Sequence, residues 1–85
     1  MNDGSYSQVY YGNPNVSAVA NGVSHGDIIY YTNGPHSALI TSYPSAGLSI
    51  AALEVTSKWG EYGLFKHAMN NVPYYWQSYT ISVWH

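Results

Sequence analysis

The stretch that decides the fold is Gly26-Asp27-Ile28-Ile29-Tyr30-Tyr31-Thr32-Asn33-Gly34-Pro35-His36-Ser37-Ala38-Leu39-Ile40-Thr41. Two short runs of β-branched, aromatic and aliphatic residues flank Asn33-Gly34-Pro35, a turn signal, because Asn and Gly tolerate positive φ and Pro fixes φ. The stretch therefore reads as two neighbouring strands, with His36 at the mouth of the second. Histidine is the one side chain whose unperturbed pKa lets it exchange protons near neutrality. A histidine held at the start of an apolar strand is fixed in place and can still meet substrate, so His36 is the leading candidate for a general base.

Working outward, the same punctuation recurs at Gly12-Asn13-Pro14-Asn15, Asn21-Gly22 and Pro44-Ser45-Ala46-Gly47. Between these turns the sequence predicts strands at 6–11, 28–32, 38–43, 48–55 and 79–84, with a short strand or turn at 64–67. The last strand alternates, with Tyr79, Ile81 and Val83 on one face and Thr80, Ser82 and Trp84 on the other. Ala38-Leu39-Ile40 is continuously apolar, the pattern of a central strand covered on both sides. No segment has the length, caps and 3.6-residue period of an amphipathic helix. Residues 16–20 are too few, and Asn21-Gly22 would end them. The expected architecture is a small antiparallel sheet of five to six strands that lacks its helical layer or finds cover in a partner.

Composition bounds the function. A chain of 85 residues makes a single domain and buries only about 60–65% of its unfolded surface. It has no cysteine, which removes disulfides, thiolate metal sites and a cysteine nucleophile together. Charged residues are 7% of the chain, against about 25% in ordinary domains. Only Lys58 and Lys66 are basic and the net charge is −2, so no nucleic-acid partner is expected. No run approaches the roughly 20 apolar residues of a membrane span. The opening Met1-Asn2-Asp3-Gly4-Ser5 has no basic start or apolar stretch, so no signal peptide is read there. Richness in Tyr, Asn, Ser and Gly with little Lys looks like the composition of exported bacterial proteins, a compositional impression toward the extracellular space or cell envelope that does not fix the location. His25, His36, His67 and His85 are widely spaced, without the close pairs that structural zinc favours, so no metal and no cofactor is expected.

Gly26-Asp27-Ile28-Ile29-Tyr30-Tyr31, a polar loop, then His36-Ser37-Ala38-Leu39-Ile40 resembles the second half of papain-like cell-wall amidohydrolases, the NlpC-type and CHAP-type cysteine peptidases and their amidase relatives. Ser57-Lys58-Trp59-Gly60, the following Lys66-His67, Pro73-Tyr74 and the early Asp3-Gly4-Ser5-Tyr6 are similar to a bacterial branch of that superfamily. The resemblance covers nearly all of this chain but only the C-terminal portion of the family's domain. It implies an α+β papain-like remnant, predominantly β, from a lineage that cleaves peptide or amide bonds, peptidoglycan among them. In such a domain an upstream helix presents a Cys nucleophile, a His accepts its proton and a third polar residue orients the imidazole. Only the His position carries over, onto His36. With no cysteine, the chain by itself is expected to be inactive.

An orienting residue is expected from the strand beside His36. Glu54 is the carboxylate there, with Ser57 as a substitute; the alternative is that Glu54 faces solvent. Asp27 is expected to cap its turn through an Asx-type bond to backbone N–H groups. Trp59-Gly60 reads as a turn whose indole packs on the sheet edge, or else as a cleft wall. A second kind of function rests on the aromatics, Tyr6, Tyr10, Tyr11, Tyr30, Tyr31, Tyr74, Tyr75, Trp76, Tyr79 and Trp84. These either pack the sheet or form a platform that binds carbohydrate or peptide, with Trp59 and Tyr30 as binding candidates. An exposed apolar face left by an absent helix would also promote self-association.

Overall fold

The computed structural model describes residues 6–32, 36–58, 63–71 and 80–85. The expectations placed on Asp3-Gly4-Ser5, Asn33-Gly34-Pro35, Trp59-Gly60, Pro73-Tyr74, Tyr75, Trp76 and Tyr79 lie outside these residues. The described residues form one open antiparallel sheet of six strands: β1 (Gln8–Gly12), β2 (Ile28–Tyr31), β3 (His36–Ile40), β4 (Glu54–Lys58), β5 (Leu64–Ala68) and β6 (Ile81–Trp84). Their order in space is β1-β6-β2-β3-β4-β5. The protein is thus predominantly β, and its helical content among the described residues is two three-residue 3-10 turns, Val19–Asn21 and Ile50–Ala52.

β2 and β3 form the hairpin that the opening stretch predicts, with Tyr31 opposite His36 and Ile28 opposite Leu39. The pairing runs on past β2, because the Ile40 N–H donates to the Asp27 carbonyl (2.9 Å) and the Gly26 N–H to the Ile40 carbonyl (2.8 Å). β6 inserts between β1 and β2, one strand in from the β1 edge of the sheet. In β1 the register slips between Gln8 and Tyr10. This bulge lets Val9 and Tyr10 both pack on the core and turns Tyr11 outward.

Alternation sorts the side chains onto two faces. The inner face carries Ile29, Tyr31, His36, Ala38, Ile40, Val55, Ser57, Ile81 and Val83, all buried. It is roofed by Ala18 and Val23 around the first 3-10 turn, by Ile50, Ala51 and Leu53 around the second, and by Met69. Gly22 closes the first turn at φ +77°, the left-handed conformation that only glycine adopts at no steric cost; the expected stop at Asn21-Gly22 is therefore where this turn ends.

Two expectations are corrected. The predicted strand at 48–55 is mostly roof. Its backbone groups are claimed by distant partners: the Ile50 N–H donates to Val16, the Ala51 N–H to Pro14, and the Ala51 carbonyl accepts from Asn70. These bonds fold Ile50–Ala52 into a 3-10 turn, and the strand starts at Glu54. Nor is β3 covered on both sides by the described residues, since Leu39 is 45% exposed. On this outer face the register lines up Tyr11, Ser82, Tyr30 and Ser37 across β1, β6, β2 and β3. A second row runs Trp84, Ile28, Leu39, Thr56 and Lys66.

Candidate functional site

His36 is the first residue of β3 and is buried (8% exposed). Its ring lies 5.1 Å from that of Tyr31, its register partner, at 52°. Tyr31 is itself anchored, because its hydroxyl donates to the Met69 carbonyl. Burial pushes the Tyr31 phenol above its ordinary range, so that hydroxyl stays protonated and keeps donating. The aromatic wall beside His36 is therefore fixed by the roof of the core.

β4 runs antiparallel to β3, with Leu39 opposite Thr56 and Ile40 opposite Val55. Continuing the register places Ser57 across from Ala38, one step from His36 on the same inner face. β5 then brings His67 opposite Val55 and diagonal to Ser57. The Ser57 Oγ to His67 Nε2 distance is 2.6 Å, and His67 Nδ1 lies 2.7 Å from the Ala68 carbonyl. A carbonyl can only accept, so Nδ1 carries the proton; in the neutral ring Nε2 is then the acceptor and the Ser57 hydroxyl donates. The tautomer of His67 thus follows from the backbone beside it. His36, Ser57 and His67 form a polar cluster at one end of an otherwise apolar face.

The electrostatics of that cluster favour a neutral His36. Burial lowers its pKa first, and the nearby His67 lowers it further. Both causes penalise the imidazolium, since a desolvated cation loses hydration and two cations repel. At neutral pH the imidazole therefore keeps its lone pair, the state a proton acceptor must be in.

The structure does not bring Glu54 to His36. Glu54 opens β4, and in an antiparallel pair the opening of β4 lies beside the end of β3. Its side chain shares the outer face with Thr56 and is exposed. Its main-chain carbonyl is what the sheet uses, accepting from the Thr41 N–H (3.3 Å) and the Ser42 hydroxyl (3.0 Å). The orienting-residue candidate that does lie near His36 is Ser57, and Ser57 is held by His67. Antiparallel geometry alone favours Ser57 over Glu54, because the neighbours of a strand's first residue come from the end of the next strand. His67 itself carried no signal beyond its place in Lys66-His67. Tyr30 projects from the outer face (37% exposed), away from His36, and Trp59 lies outside the described residues.

Asp27 does the capping expected of it. Its Oδ2 accepts the Ser24 N–H at 2.8 Å, and its Oδ1 lies 2.5 Å from His85 Nδ1. The carboxylate is wholly buried while the His85 side chain is 71% exposed. This pair fastens the start of β2 to the residue after β6. His25 stacks on Tyr43 at the same end of the sheet, with ring centroids 4.2 Å apart and planes 5° from parallel. Among the described residues no group of three or more His, Cys, Asp or Glu comes together as a metal site.

A shallow concavity of about 440 Å3 is lined by residues of both faces, Ile28, Leu39 and Thr56 together with His36, Ala38 and Ser57. His36 and Ser57 thus border one depression, and the strand register joins His67 to them from β5. In comparisons with known proteins, no protein family, curated protein or solved structure matches this chain.

Proposed function

We propose that the chain is the sheet portion of a papain-like cysteine peptidase or amidase domain, a hydrolase lineage acting on peptide or amide bonds such as those of peptidoglycan. The observation that carries this reading is the position of His36. It is the buried first residue of a strand inside the sheet, kept neutral by its surroundings, with a polar side chain on the next strand. In a complete site a thiol within hydrogen-bond reach gives its proton to His36, and the thiolate attacks the amide carbonyl. His36 then returns the proton to the departing amine. Ser57, itself held by His67, is the polar neighbour that limits how the imidazole can turn. With no cysteine in its 85 residues, the chain alone does not cleave amides.

The test is to read the coding sequence upstream of Met1 and express whatever in-frame segment precedes it together with this chain. The expected result is a cysteine on a helical segment and release of amines from peptidoglycan. That activity is lost on alkylation and on His36→Ala. A stop codon close upstream, an extension without cysteine, or activity that survives His36→Ala overturns the reading.

A second reading, a binding module, is favoured by the Tyr11-Ser82-Tyr30-Ser37 row on the outer face. Tyr11 is 62% and Tyr30 is 37% exposed, and Ser82 between them accepts the Trp84 indole N–H at 3.1 Å. Aromatic faces interleaved with hydroxyls suit a neutral sugar chain. Isothermal titration with soluble glycans and with Tyr11→Ala and Tyr30→Ala tests it; equal affinity of both variants and the parent chain removes it.

A further inference from the structure

The amidase reading makes no use of the nucleophile the chain already holds. Ser57 Oγ is 2.6 Å from His67 Nε2, and the Ala68 carbonyl, 2.7 Å from Nδ1, sets His67 in the tautomer that accepts the serine proton. Hydroxyl, base and a third group orienting the base are the parts of an activated nucleophile. All three sit on adjacent strands of one sheet, β4 and β5, so their geometry is fixed by ladder hydrogen bonds rather than by a loop. We propose that Ser57 is an acyl-accepting nucleophile with His67 as its base, reactive toward small activated esters such as aryl acetates.

The step balances within the pair. The Ser57 O–H bond breaks as its proton passes to His67 Nε2, and Oγ bonds to the ester carbonyl carbon. The tetrahedral adduct collapses by breaking the bond to the aryloxide, which takes the proton back from His67. Acetyl-Ser57 and a phenol result. Water then repeats the sequence, its proton passing through His67, and acetic acid leaves with Ser57 restored. Burial sets the size of the donor: Ser57 is 3% exposed, while Phe65, its register partner on β5, is 47% exposed. Ser57 borders the shallow concavity beside Leu39 and Thr56, and so small an exposed area suits a short acyl group on an aromatic leaving group better than a bulky peptide. Neither a thiol nor His36 takes part, so this reactivity stands or falls separately from the amidase reading.

The experiment incubates the whole folded chain with p-nitrophenyl acetate, follows the phenolate burst, and maps the acetyl group by peptide mass spectrometry. The expected result is an acetyl group on Ser57, absent in Ser57→Ala and formed on the order of a hundredfold more slowly in His67→Gln. Should His67→Gln fail to fold by circular dichroism, the pH profile of acetyl-Ser57 formation in the parent chain serves instead. It should rise with the loss of one proton and then level. Acetylation confined to tyrosines, lysines or the amino terminus, a rate unchanged by His67→Gln, or a profile that climbs steadily with hydroxide overturns the proposal.

Discussion

The replacement His85→Ala removes the exposed half of a pair whose other half, Asp27, is wholly buried. The ordinary expectation for a side chain that is 71% exposed is little effect. The structure argues otherwise. Asp27 has two described side-chain bonds, to the Ser24 N–H and to His85 Nδ1. Losing one leaves a buried carboxylate with half its donors, and an under-satisfied buried acceptor costs about 1–3 kcal/mol. Solvent around His85 screens the pair and pulls the figure toward the lower half of that range. A loss of about 1.5 kcal/mol is expected. For a small domain with a urea slope of about 1 kcal/mol/M, that moves the unfolding midpoint by roughly 1.5 M.

A double-mutant cycle isolates the interaction. Asp27→Asn keeps an acceptor for the Ser24 N–H and removes the charge that needs His85. The second replacement, His85→Ala in the Asp27→Asn background, should therefore cost less than about 0.5 kcal/mol. Urea unfolding followed by tryptophan fluorescence and by circular dichroism, at fixed pH and salt, gives all four stabilities. If His85→Ala unfolds within about 0.3 kcal/mol of the parent, or costs the same in both backgrounds, the buried carboxylate does not depend on His85 and the reasoning is wrong.

Three further outcomes follow from the same geometry. His36 has a lowered pKa in the folded state, so between the ordinary histidine value of about 6.5 and its lower folded value the unfolded chain binds more protons. Stability should rise with pH across that window, and urea midpoints on either side should show His36→Gln reducing the slope. Leu53, with no exposure, sits at the centre of the roof; Leu53→Ala should cost about 2–5 kcal/mol and leave the chain largely unfolded at 37 °C by thermal melt. Tyr31→Phe deprives the Met69 carbonyl of its hydroxyl donor, so a loss of about 1–2 kcal/mol is expected, with the His36 ring proton shifts in NMR moving as its aromatic neighbour loosens.

The β2–β3 hairpin and the place of His36 at its second strand were legible because they depend on local chemistry. Turn residues stand between two β-favouring runs, and the first residue after the turn must open the next strand. The alternation of Ile81, Ser82, Val83 and Trp84 was legible for the same reason, since a period of two survives any tertiary arrangement. The segment at 48–55 was not, because Leu48 and Ile50 read as strand until the carbonyls of Pro14 and Val16 are there to take the backbone N–H groups of Ala51 and Ile50. Glu54 is the carboxylate of the strand beside His36, but neither its chemistry nor that adjacency says which end of an antiparallel neighbour lies beside His36.

What the amino-acid sequence determined by itself is the β class, the turns, the absence of a thiol and the strand that presents His36. Only the tertiary structure decided which side chains share its surroundings. Register and strand order are relations between segments far apart in the chain: Ser57 meets His67 across ten residues, and Asp27 meets His85 across fifty-eight. A strand's own propensity holds no record of its partner, and one step of slip would turn every side chain to the opposite face. The buried rows settle that register, and with it the polar cluster of His36, Ser57 and His67.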